Sequence, residues 1–100
     1  MSVVMILRVK ADPNSLERFA NANAEVMEGV ARAGREAGAV RHMFAGGDGE
    51  VLVIDEWPDE AAFQKFFDSQ SDIPRIMQAA GVQSEPQISF YRKLDTPDAF

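Results

Sequence analysis

Residues 39–63 read AVRHMFA, GGDG, EVLVIDEW and PDEAAF in succession, and this stretch decides the fold. Two strand-like runs flank a glycine-rich reversal, and the second run passes straight into a helix. Glycine adopts positive φ at little steric cost, so Gly46-Gly47-Asp48-Gly49 reads as a four-residue hairpin loop. Val51, Leu52, Val53 and Ile54 are apolar and mostly β-branched, which suits a pleated, covered surface. Pro58 holds Trp57 extended and is itself suited to a first helical turn.

Upstream, Val3 to Val9 is a nearly continuous apolar run, the pattern of a central strand. Asp12 then reads as an N-cap with Pro13 at the first helical position, and an alternative capping box pairs Asn14 with Glu17. Leu16, Phe19, Ala20, Val26, Met27 and Val30 recur at helical spacing and predict one long helix. Asn23 interrupts the stripe as an amide turned to solvent. Gly34 and Gly38 mark the helix end. Downstream, Phe63, Phe66 and Phe67 give a short helix its inner side, with Asp59 and Glu60 in its first turn. Ser69 to Asp72 breaks that helix. A second one turns Ile73, Ile76, Met77 and Ala80 inward, with Gly81 as its stop. Gln87 to Lys93 alternates like an outer strand, and residues 94–100 form an acidic tail. Residues 1–93 thus read as a single domain in the order βαββ(αα)β. That order predicts an α+β, ferredoxin-like sandwich with a four-stranded antiparallel sheet and its helices on one side.

The hairpin sets which side chains share a face. Pairing Ala45 with Glu50 places His42 opposite Val53, with Asp55 on the diagonal. Alternation then gathers Val40, His42, Phe44, Val51, Val53, Asp55 and Trp57 on one face. Arg41, Met43, Ala45, Leu52, Ile54 and Glu56 share the other. Helices cover only one side, and the side left bare is expected to be rich in Val, Phe and Trp. Such a patch is hidden most simply by a two-fold homodimer.

Whole-chain properties narrow the classes of function. One hundred residues with 10 basic and 16 acidic side chains carry a net charge of −6, which argues against a nucleic-acid partner. There is no cysteine, so disulfides, thiolate metal sites and thiol catalysis are excluded. The apolar lead from Met1 to Val9 is short for a signal core, and no apolar run reaches the roughly 20 residues that span a bilayer. A cytoplasmic protein without a membrane partner is the expectation.

The run from Glu50 to Phe63 resembles the strand-to-helix signature of the dimeric α/β-barrel superfamily, and within it the antibiotic biosynthesis monooxygenase (ABM)-like domains. Asp55, Trp57, Glu60, Ala61, Ala62 and Phe63 carry the match, and the element order extends it over nearly the whole chain. The resemblance implies a homodimer closing a barrel, with a pocket between sheet and helices for a small apolar or aromatic, polyketide-like ligand. Its members include cofactor-free oxygenases, isomerases, haem-degrading enzymes and proteins without known activity. The haem-degrading members carry an iron-ligating histidine on the helix after the signature and an asparagine on the first strand. Here that helix offers Ile76, Met77 and Gln78, and the first strand has no asparagine, so haem is not expected.

His42, the only histidine, is the candidate general base, with Asp55 as the group that orients it. The alternative is a structural histidine at an edge strand or inside the dimer. A buried Asp55 needs a partner, which Arg41, Arg92 or His42 could supply, and a purely structural ion pair is equally compatible. Phe44 and Trp57 are candidate pocket walls, and Tyr91 a candidate hydrogen-bond donor to the ligand. Each has a plain packing alternative. Arg41 and Glu56 read as a cross-strand ion pair. The glycines of the loop precede a strand rather than a helix, so they do not form a phosphate loop. One histidine does not make a conventional metal site, and no metal or cofactor is expected.

Overall fold

The computed structural model describes residues 2–100; Met1, the start of the apolar lead, lies outside them. The elements are β1 (Val3–Lys10), α1 (Pro13–Ala22), α2 (Ala24–Glu36), β2 (Arg41–Gly47), β3 (Glu50–Trp57), α3 (Glu60–Ser69), α4 (Asp72–Ala79) and β4 (Gln87–Arg92). The four strands form one antiparallel sheet in the order β2-β3-β1-β4. The expected ferredoxin-like architecture is therefore present. Within one chain the sheet stays open, with β2 and β4 as its edges.

Most element boundaries follow local chemistry. Asp12 caps α1 by accepting from the Asn14 amide at 3.0 Å and the Ser15 hydroxyl at 2.8 Å, with Pro13 behind it in the first turn. Asp59 caps α3 by accepting from the Ala62 amide at 2.8 Å, which leaves Pro58 just outside the helix rather than in its first turn. Helices α2 and α4 both end in the same motif. Gly38 (φ 114°) and Gly81 (φ 71°) take the left-handed position. The amides beyond them reach back five residues, Ala39 to Gly34 O and Val82 to Met77 O. That pattern satisfies carbonyls a helix end otherwise strands.

The single long helix is in fact two. Asn23 leaves helical geometry at φ −129°, ψ 49°. Its side-chain amide donates to Phe19 O at 2.9 Å, and its main-chain N–H also returns to the last turn of α1. An asparagine that bonds to nearby backbone competes with the helix, which is why the chain breaks there. The residue is half-buried instead of turned to solvent.

The hairpin also differs from expectation. Gly47 still pairs with Glu50, so only Asp48 and Gly49 form the turn. The register moves by two residues, and His42 stands directly opposite Asp55, not opposite Val53. A shift of two keeps each residue on its own face, so the two sets survive.

The helices cover the face carrying Met5, Leu7, Val9, Val51, Asp55 and Trp57, all buried. Trp57 lies among rings of α3, with centroids 5.3 Å from Phe66 and 5.7 Å from Phe63. Met5 is fully buried, a burial that contributes roughly 1.5–3 kcal/mol. The expectation that the Val, Phe and Trp set would be the bare side is therefore overturned. The uncovered face carries Val4, Ile6, Met43, Leu52, Ile54 and Tyr91 instead. Glu56 lies among them at 6% exposure, held by Arg41 Nε at 3.6 Å and Lys93 Nζ at 3.3 Å.

Candidate functional site

A cavity of about 320 Å³ lies between the helices and the covered face of the sheet. Its inner wall is apolar: Met5, Leu7, Trp57, Phe63, Ile76 and Met77 all contribute. The lining residues that are also exposed are Arg35, Val40, Arg41, His42 and Phe44, which places the opening between the end of α2 and the edge strand β2. Arg41 touches this rim although its guanidinium turns to Glu56 on the other face.

The cavity's polar equipment centres on one carboxylate. Asp55 Oδ1 lies 2.7 Å from His42 Nδ1, and Asp55 Oδ2 accepts from Trp57 Nε1 at 3.0 Å. Each oxygen of the buried carboxylate is thus engaged, as its desolvation requires. A carboxylate can only accept, so it assigns the ring proton of neutral His42 to Nδ1. Among the described residues Nε2 has no hydrogen-bond partner. The His42 side chain is 43% exposed against 7% for Asp55, so the pair runs from the protein interior to the cavity opening. Phe44 meets His42 edge to face, with ring centroids 5.0 Å apart.

Local structure explains the convergence. His42 and Asp55 are cross-strand partners in the β2–β3 ladder, and directly opposite side chains are close enough to touch. Asp55 and Trp57 are two apart on one strand, so they share a face. Of the five side chains singled out from sequence, four meet here: His42, Asp55, Phe44 and Trp57. The fifth, Tyr91, pairs with Val4 on the uncovered face and does not line the cavity. The ligand for which it was a candidate donor cannot reach it from this cavity within one chain.

Three features escaped the sequence reading. The Trp57–Asp55 hydrogen bond is one, although the two-residue spacing already puts both side chains on one face. Arg35 reaches the rim from the last turn of α2, a position only the helix packing reveals. Glu56, read from the sequence only as the partner of Arg41, is a second buried carboxylate that Lys93 also holds. No group of three or more histidine and carboxylate side chains converges on a common point among the described residues. No helix there is long and apolar enough to cross a membrane.

This architecture is similar to that of several solved structures, some of them named antibiotic biosynthesis monooxygenases. The sequence matches no protein-family model and no curated protein. Solved structures do match across nearly the whole chain. SnoaB, a cofactor-independent oxygenase from Streptomyces nogalater, has a TM-score of 0.61 at 20% identity over 98% of both chains. An antibiotic biosynthesis monooxygenase gives 0.64 at 13% identity, over 93% of this chain and 99% of the other. Rv0793 from Mycobacterium tuberculosis gives 0.60 at 13% identity, over 98% of this chain and all of that one. Likeness at such identities is a likeness of fold.

Proposed function

We propose that the chain forms a homodimer in which each cavity binds a small, flat, apolar molecule, and that His42 removes an acidic proton from it without a cofactor. The observation that carries this reading is the Asp55–His42 pair at the opening of an apolar cavity, with the unprotonated Nε2 available. A substrate C–H acidified by flanking aromatic or carbonyl groups gives its proton to Nε2, and Asp55 stabilises the imidazolium that forms. For an aromatic CH2 group, the carbanion then reacts with dioxygen. One oxygen atom becomes the new carbonyl and the other leaves as water. Return of the proton to a different carbon gives isomerisation instead. The likeness in fold to a cofactor-independent oxygenase favours the oxygenation branch.

The homodimer is supported by the uncovered face, where Val4, Ile6, Leu52 and Ile54 are only half-buried and Met43 is 52% exposed. A contiguous apolar surface of this kind is removed from water by pairing two sheets.

The test uses anthrone, an apolar tricyclic ketone with an acidic CH2, and follows oxygen uptake. Wild-type turnover that disappears in His42→Ala, with the dimer intact by sedimentation, is the expected result. Equal rates in the two proteins contradict the proposed base. Saturable binding without turnover favours a non-catalytic ligand-binding domain.

A further inference from the structure

We infer that Trp57, besides forming part of the cavity's inner wall, is a positioning residue for His42 and acts through Asp55. This deepens the catalytic reading above and rests on it for its kinetic part, though its structural part stands alone. Trp57 is 1% exposed and its only polar atom is committed to Asp55 Oδ2 at 3.0 Å. A ring meant chiefly as a ligand platform does not need that bond. The consequence falls on the carboxylate. With one oxygen fixed by an indole N–H and the other facing His42 Nδ1, rotation of the carboxylate is stopped at both ends.

The indole is in turn held by α3. Phe66 and Phe63 lie against it, and Phe63 contacts both Phe67 and Phe90. Rigidity therefore passes from a helix and the β4 strand through one N–H to the carboxylate, and from there to a ring on an otherwise exposed edge strand. A free histidine side chain favours the tautomer with its proton on Nε2, the wrong one for a base facing the cavity. Asp55 reverses that preference only while its Oδ1 stays in line with Nδ1. Groups that orient a metal-binding histidine from behind typically change affinity or activity by about 10–100-fold when removed, and by analogy the same lever acts on a histidine base; an active-site displacement near 1 Å costs about 100-fold.

Two variants separate this role from simple packing. Trp57→Phe removes the donor and part of the ring. Replacing the indole of Trp57 with its benzothiophene isostere removes the donor alone and keeps the shape, so it decides the matter where Trp57→Phe fails to fold. The primary measurement is the tautomer of neutral His42 by long-range proton–nitrogen correlation NMR, which needs no substrate. We expect wild type to hold the proton on Nδ1 and the isostere to shift population toward Nε2. Retention of the Nδ1 tautomer in the folded isostere overturns the inference, as does a wild type already protonated on Nε2. Where turnover is measurable, kcat falls about 10–100-fold with KM little changed. A tautomer shift in a protein that never turns over substrate upholds the positioning role and refutes only the catalytic reading.

Discussion

Replacing Asp55 by asparagine separates what the buried carboxylate does for stability from what it does for chemistry. The side chain sits between two donors, Trp57 Nε1 at 3.0 Å and His42 Nδ1 at 2.7 Å. Asparagine has nearly the same volume but one acceptor oxygen and one amino group. Trp57 is fully buried and carries a proton it cannot lose, so the asparagine oxygen turns to the indole. The amino group then faces His42 Nδ1 and forces it to accept. The ring proton moves to Nε2, and the proposed base loses its lone pair toward the cavity. In a catalytic triad the same exchange lowers kcat by about 10⁴-fold with geometry intact; for this dyad we expect a loss of about 10²–10⁴-fold, the contribution of one positioned general base. Stability should change by less than about 1 kcal/mol, because both buried polar positions stay paired. Asp55→Ala makes the contrast. It strands the indole N–H, which costs about 1–3 kcal/mol and lowers Tm by about 4–8 °C for each kcal/mol in a domain of this size. Thermal melts and oxygen uptake on the two variants give the full comparison. An Asp55→Asn protein with undiminished turnover, or one destabilised as much as Asp55→Ala, refutes the donor and acceptor reasoning.

Gly46 packs against the start of α1 so closely that an added Cβ meets Pro13 Cβ at 2.7 Å; Gly46→Ala should cost about 1–3 kcal/mol by urea unfolding, and an unchanged midpoint would show that β2 gives way freely there. Asp12 is held below the ordinary carboxylate range by the Ser15 hydroxyl first and then by the Asn14 amide. A lowered folded value means that its contribution is present above the ordinary range and disappears as pH falls through the folded value. Asp12→Asn should therefore show a smaller drop in Tm between neutral and strongly acidic pH than wild type, and an identical drop contradicts the cap's ionic character. Ile54→Arg places a charge in the middle of the uncovered sheet face and should convert the proposed dimer to monomer by analytical ultracentrifugation; a wild type that sediments as a monomer at micromolar concentration refutes the pairing instead.

The strand order and the placing of helices between strands were legible because their boundaries have local causes: the Asp12 cap, Gly38 and Gly81 past helix ends, and β-branched runs for strands. The break at Asn23 and the cap at Asp59 were not. The hairpin register was not. Three glycines in four residues suggested a loop of four, whereas the Asp48-Gly49 pair alone makes the turn and Gly47 keeps its place opposite Glu50. Asp-Gly is the stronger short-turn signal, and it was outweighed by the glycine count. The side chains on each face were sorted correctly, since alternation is a property of one strand. Which face lies under the helices was not, because both sets are apolar and only the packing of Phe63, Phe66 and Ile76 against Met5 and Trp57 chooses between them. His42 and Asp55 were found by residue type, and their direct opposition needed the true register. Tyr91 lies apart from the cavity because it stands on the face the helices leave uncovered.

An acidic ligand proton meeting His42 Nε2 at the opening of the cavity is tested most directly by a crystal structure with a bound, unreactive aromatic phenol. The expected result is a ring system lying against Phe44 and Val53, with its hydroxyl donating to Nε2 at about 2.6–3.2 Å. Ligand density on the outer face of the sheet, or a ligand in the cavity with no polar atom near His42, would contradict it.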